Sequence, residues 1–205
     1  MALASLNKFT VPLATNQTNG YQGLLMPKLQ YRFRVSFIGI GASPDTIELT
    51  KQVVSFNRPQ VSFADTDVHV YNSVVRIAGK HTWGDVSCTI RDDSRGNVTR
   101  LIGEQLQKQF DFMEQASAAA GGDYKFQLKC EILDGGNGQQ DVGILETWTL
   151  YGAYIKEANY QELNYANNDP VTIQLAIRFD NAVQTDGTVG VGALIPRKPG
   201  FKITT

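Results

Sequence analysis

A chain of 205 residues with 42 % hydrophobic and 19 % charged side chains is long enough to bury one large core, and its composition excludes a disordered chain. Nineteen basic against twenty acidic residues give a net charge of −1, which argues against tight nucleic-acid binding because no cationic excess exists to displace phosphate counterions. No run approaches the roughly 18–20 apolar residues of a membrane-spanning helix, and the N-terminus lacks the basic-then-apolar order of a secretory leader, so a soluble protein made in a cytoplasm is expected.

Residues 1–25 carry no periodicity and are expected to form an arm. The stretch LQYRFRVSF at 29–37 alternates strictly, placing Leu29, Tyr31, Phe33, Val35 and Phe37 on one strand face and Gln30, Arg32, Arg34 and Ser36 on the other. A turn at Ser43-Pro44-Asp45 leads to a second strand over 47–56, stopped by Asn57-Arg58-Pro59. Short strands follow at 61–63, 68–71 and 74–77, with Ala78-Gly79-Lys80 as a turn before a strand at 83–92. From Ser94 to Gln115 the period changes: Val98, Leu101, Ile102, Leu106, Phe110 and Met113 fall at helical spacing, with Asp92, Asp93 or Ser94 available as a cap. Strands resume at 124–132 and 144–155, separated by the GGNGQQ loop, and at 171–179 after an amide-rich turn; a tail without periodicity closes the chain. The expected fold is α+β and predominantly β, two packed antiparallel sheets or a barrel-like arrangement with one amphipathic helix.

No constellation for catalysis can be assembled. Only His69 and His81 are present, no serine lies in a nucleophile elbow, and neither cysteine carries a protease signature. Asp65, Asp67 and His69 share a strand face and could offer metal ligands, but a wet strand face explains them without a metal, so no metal or cofactor is expected. The GTVGVG stretch of the tail lacks the Lys-Ser/Thr of a nucleotide loop. Cys88 and Cys130 fall on apolar strand faces and read as buried thiols, a disulfide being the alternative. Trp83, Trp148, Tyr151, Tyr154, Tyr160 and Tyr165 could build a stacking platform, although alternation assigns Trp148 to the core. Such a platform would suit a monomeric β-sandwich module binding carbohydrate or peptide.

Three ordered segments, MPKLQYRFRVSFIGIG, VYNSVVRIAGKHTWGDVSCTIRDD and ETWTLYGAYIKEANYQELNYANNDPVTIQLAIRFD, resemble the tail-tube proteins of contractile-tailed bacteriophages. Asn72, Ala78, Gly79, Asp92, Gly152 and the Asn167-Asn168-Asp169 turn carry the likeness, which spans about 26–183 and leaves 184–205 as an extension. The resemblance implies a non-enzymatic virion protein forming stacked homohexameric rings. Its implied partners are copies of itself, a tail sheath protein, baseplate and tail-terminator proteins, a tape-measure protein and transient genomic DNA in the lumen, with no membrane. Tubes of type VI secretion systems and of phage-derived bacteriocin particles share the architecture. Lumens in this family tend to be acidic, whereas the polar faces here carry Arg32, Arg34, Lys125, Lys129 and Arg178 beside Glu131, Glu146 and Gln174. Pro59 to Lys80 fits a single core poorly, so Val68, Val70, Tyr71, Val74, Val75 and Ile77 are expected to reach a neighbouring subunit.

Overall fold

The structure is a computed structural model describing residues 27–42, 46–118, 120–135, 142–185 and 190–192. The arm 1–25, the Ser43-Pro44-Asp45 turn, the GGNGQQ loop beyond Gly135, the stretch up to Val189 in GTVGVG and the tail from 193 lie outside the described residues. Two compact units are present, Met1–Arg32 and Phe33–Thr205. In the first, residues 27–32 include a turn in which Arg32 N–H donates to the Leu29 carbonyl at 3.2 Å and the Arg32 guanidinium lies 5.4 Å from the Tyr31 ring centroid.

The second unit begins with β1 (Phe33–Ile38), whose alternation buries Val35 and Phe37 as expected. The strand starts only at Phe33, so Tyr31 and Arg32 belong to the preceding turn and Arg32 is not on the strand face with Arg34. Residues 47–56 are not one strand. Ile47–Gln52 forms a short helix, α1, followed by β2 (Val53–Phe56), because Glu48, Leu49, Lys51 and Gln52 favour helix and only Leu49 is called into the core. β3 (Val61–Val70) and β4 (Ser73–Trp83) make one long hairpin. Ala78-Gly79-Lys80 is therefore no turn: it lies within β4, where the register shifts between Phe63 and Asp65 as a bulge. A Cβ at Gly79 would stand 2.9 Å from the Ala64 carbonyl oxygen, which accounts for glycine there. The strand expected over 83–92 breaks at Gly84-Asp85 and resumes as β5 (Val86–Arg91).

The amphipathic helix, α2, spans Asn97–Gln109 and buries Val98, Leu101, Ile102 and Gln105. Gly96, at φ +69°, occupies the cap position, while Asp93 reaches in from upstream: its Oδ1 accepts from Val98 N–H at 3.1 Å and its Oδ2 from Asn97 Nδ2 at 3.2 Å. The helix stops six residues before Gln115. Phe110 and Asp111 form β6 (Phe110–Asp111), paired with β7 (Ala116–Ser117), and Met113 is 91 % exposed at the tip instead of on an apolar helix stripe.

The remaining strands are β8 (Phe126–Leu133), β9 (Ile144–Asn159), β10 (Thr172–Arg178) and β11 (Asn181–Thr185). Together they build a seven-stranded antiparallel sheet ordered β1-β8-β9-β10-β5-β2, with β11 also on β9. The long β9 links two halves: its first part pairs with β8 and β11, its second with β10. Gly152 (φ +65°) marks the change of partner, and β11, a strand not expected from sequence whose last two residues fall in the expected tail, continues beside β9 after β10 has ended. Side chains from both halves, from Val35 and Leu128 to Cys88 and Leu175, join α2 in one hydrophobic cluster, so the halves pack across a common core without closing a barrel. Trp148 is buried there, and Cys88 and Cys130 are buried free thiols whose pKa values burial pushes up to about 12.

Candidate functional site

The β3–β4 ribbon is exposed along nearly its whole length. At about 3.3 Å per residue its ten-residue strand reaches roughly 33 Å. Register divides its faces. Thr66 opposes Ile77, Val68 opposes Val75 and Val70 opposes Ser73, giving one apolar face. Asp65 opposes Ala78, Asp67 opposes Arg76 and His69 opposes Val74, giving a polar face on which Arg76 pairs with Asp67 at 3.6 Å. Of the six residues expected at a subunit interface, Val68, Val70, Val75 and Ile77 thus lie together, Tyr71 sits at the turn, and Val74 points to the opposite side. All six are exposed, Tyr71 completely.

Tyr71 also has φ +46°, a left-handed conformation unfavourable for an aromatic side chain, in a two-residue turn where Ser73 Oγ donates to the Val70 carbonyl at 3.1 Å. At its other end the ribbon is anchored by a chain of tilted and edge-to-face rings. Phe63 lies 6.3 Å from His81, His81 6.1 Å from Trp83, and Trp83 5.6 Å from Phe179 in the core. Trp83 therefore serves as the root of the ribbon, apart from the exposed Tyr160 and Tyr165 of the β9–β10 loop, and the aromatic platform considered from sequence does not come together around it.

The polar-face candidates separate. Arg34 and Glu131 are register partners on β1 and β8; Arg34 donates to Glu131 through Nε at 2.8 Å, and Lys129 reaches the other carboxylate oxygen at 2.5 Å. Enclosed between these cations, Glu131 is only 2 % exposed. Burial alone would raise its pKa, but hydrogen bonds from Lys129 and Arg34 outweigh it and hold the carboxyl below the usual range. Gln174 and Arg178 lie on β10 in the other half, Gln174 beside Ser87 at 3.4 Å and Arg178 3.7 Å from Asp85, which Lys156 also contacts. Lys125 precedes β8 and donates to Asp180 at 2.7 Å, a bond that raises its pKa.

Glu146 is not on a polar face at all. It shares the inward face of β9 with Trp148, is 4 % exposed, and accepts from Trp148 Nε1 at 2.6 Å and Gln184 Nε2 at 2.9 Å. The Arg58 guanidinium lies 3.9 Å from the same oxygen, so hydrogen bonds and a cation together make the buried carboxylate tolerable.

Among the described residues, β1, β2 and β11 each pair with one strand of the sheet only, β11 having besides a bond from Gln184 N–H to the Val191 carbonyl at 2.8 Å. No group of three or more His, Cys, Asp or Glu side chains among them is arranged to hold a metal ion, and no helix among them is long and apolar enough to cross a membrane. What this unit offers is surface: a bare amphipathic ribbon and sheet strands, β1 and β2 among them, with one flank unpaired among the described residues.

No family model and no curated protein matches the chain by sequence. Its fold does match solved structures. A chain from the cryo-EM structure of the anti-feeding prophage (AFP) cap, the AFP tube terminating cap, has a TM-score of 0.59 at 11 % identity, over 80 % of this chain and 95 % of that one. For the AFP baseplate, solved with 6-fold symmetrisation, the values are 0.58 and 13 %, over 81 % and 100 %. A chain of the sheath/tube terminator of an extracellular contractile injection system, PVC, in its extended state gives 0.57 and 12 %, over 80 % and 99 %. The fold built above is thus the fold of chains in the anti-feeding prophage cap and baseplate and in the PVC sheath/tube terminator.

Proposed function

We propose that the chain is a structural, non-enzymatic subunit that assembles with five copies of itself into a ring, and that such rings stack into the inner tube of a contractile phage tail. The observation that carries this reading is the ribbon. A two-stranded hairpin is at best marginally stable alone in water, yet this one extends its apolar face, Val68, Val70, Val75 and Ile77, into solvent. A neighbouring copy covering that face would remove the liability. The open borders at β1 and β2 would be satisfied in the same way, by strands of flanking subunits that continue the sheet around a lumen. Permanent interfaces of this kind bury about 2,000–5,000 Å², so ribbon and edges would act together. The fold shared with chains of contractile injection particles supports the same reading, as does the absence from the sequence of any assembled acid, base and nucleophile. Sheath, baseplate, terminator and tape-measure proteins would be the partners and DNA the cargo in transit.

Those neighbours come from injection particles, which favours as a second reading a tube or terminator subunit of a phage-derived injection or bacteriocin particle. Nuclease-resistant DNA packed with purified particles would favour the phage tail; its absence would favour the second reading.

The test is assembly. Negative-stain microscopy of the purified protein is expected to show rings or tubes. Val70→Asp combined with Tyr71→Asp is expected to leave a folded subunit, because neither side chain contributes to the core, and to abolish rings. Normal rings from the double variant would remove the ribbon from the interface, and small discrete particles from the unaltered protein at all concentrations would overturn the tube reading altogether.

A further inference from the structure

Besides its strands with a single partner, the sheet has another backbone edge, and this one is closed from within. β8 runs beside β9 only as far as the pairing of Phe126 with Ala153. Past that point the flank of β9 opposite β10 has no strand partner among the described residues, and the next backbone groups facing that way belong to Ile155. They are met by a side chain. The Gln109 amide, at the last residue of α2, donates through Nε2 to the Ile155 carbonyl at 2.8 Å and accepts through Oε1 from the Ile155 N–H at 3.0 Å. One amide thus reproduces the donor–acceptor pair that a peptide unit of another strand would present.

Gln109 is itself held in place. Gln105, one turn earlier and fully buried, lies with its Nε2 3.5 Å from Gln109 Oε1, donates to the Tyr124 carbonyl at 2.6 Å and accepts from Gly41 N–H at 3.0 Å. Glu104 accepts from Ala42 N–H at 3.0 Å, and Lys108 donates to the Gly41 carbonyl. The polar stripe of α2 therefore caps backbone groups beyond the end of β1, ahead of β8 and on β9, all of which lie where strand pairing runs out.

We infer that Gln109 is an edge guard: by occupying the Ile155 backbone pair it keeps an incoming strand from continuing, along the second half of β9, the ladder that β8 leaves off. This inference does not depend on what the chain assembles into. An unguarded strand flank templates pairing with any exposed strand, and ribbon-bearing subunits at high concentration supply many.

Two variants separate guarding from simple stabilisation. Gln109→Met keeps an unbranched side chain of similar length but offers Ile155 neither donor nor acceptor. Gln109→Lys also breaks the pair of bonds, yet sets a charge over the edge, a device that itself discourages strand addition. Hydrogen exchange at the Ile155 amide should accelerate by up to about tenfold in both, as expected for loss of one hydrogen bond. Light scattering and thioflavin fluorescence are then followed below each variant's own melting midpoint, so that a difference in stability does not decide the result. The expected outcome is several-fold faster formation of irregular aggregates by Gln109→Met alone. Equal aggregation of the two variants, aggregation of neither, aggregation of the lysine variant only, or failure of the methionine variant to fold while the lysine variant folds would each overturn the inference.

Discussion

Gly152 shows how a single residue fixes the corner of this fold. Its φ of +65° is a left-handed conformation that costs other residues about 1–2 kcal/mol. A Cβ there would also run into the Asp180 carboxylate, whose own backbone N–H donates to the Tyr151 carbonyl at 3.0 Å and whose Oδ2 accepts from Lys125. Gly152→Ala is therefore expected to lower stability in urea unfolding by about 2–3 kcal/mol, combining the backbone cost with the displaced ion pair; a loss below about 0.5 kcal/mol would mean the corner relaxes freely. Glu131 makes a different kind of statement, one about pH. Its folded pKa lies below the ordinary value of about 4.3 because the bonds from Lys129 and Arg34 exceed the opposing effect of burial. Its carboxylate therefore contributes stability fully above that ordinary value, and the contribution fades as pH falls through the lower folded value. Glu131→Gln should consequently lose less stability than the unaltered protein between neutral pH and pH about 3. Unfolding curves with the same acid slope for both would assign the acid sensitivity to other groups.

At the scale of elements, what alternation encodes was legible in the sequence and what register encodes was not. β1, β5 and β10 bury every second side chain, as β8 does up to Cys130, and period two announces them. The short run from Ile47 is ambiguous, since Ile47 and Leu49 suit a strand as well as a six-residue helix with one buried leucine. The ribbon was legible as residues unsuited to a single core, but its faces were not: alternation separates Val74 from Val75, and only the turn at Tyr71-Asn72 decides that Val75 is the one that joins Val68 and Val70. Glu146 was misplaced for the converse reason. Its alternation with Trp148 pointed inward, and its charge suggested outward; the donors on Trp148 and Gln184 and the Arg58 guanidinium, which reconcile the two, come from other positions of the chain. Gln109 carried no pattern at all, because a glutamine near a helix end is unremarkable until β8 stops short of Ile155.

For the unit from Phe33 onward, the decisive property is that one hydrophobic cluster joins both halves of the sheet. Cys88 lies in β5 and Cys130 in β8, so each half carries a built-in reporter, and burial keeps both thiols protonated with pKa values near about 12. A thiol reagent at neutral pH can reach them only through opening, because the reactive species is the exposed thiolate. If the common core makes the halves one cooperative body, Cys88 and Cys130 open together, and the single variants Cys88→Ala and Cys130→Ala should label at the same rate per remaining thiol, set by global unfolding. Were the halves independent, the two variants would label at different rates, and the faster rate would not follow denaturant with the full slope of unfolding. Assembly adds a second expectation on the same readout. Partners that bind the folded subunit stabilise it by mass action, so labelling of both thiols should slow as protein concentration rises through the range where rings form, and should regain its dilute-solution rate in the Val70→Asp, Tyr71→Asp variant. Two thiols that respond differently to concentration would show that neighbours stabilise one half of the sheet alone, and would contradict a protomer whose core is complete before its edges find partners.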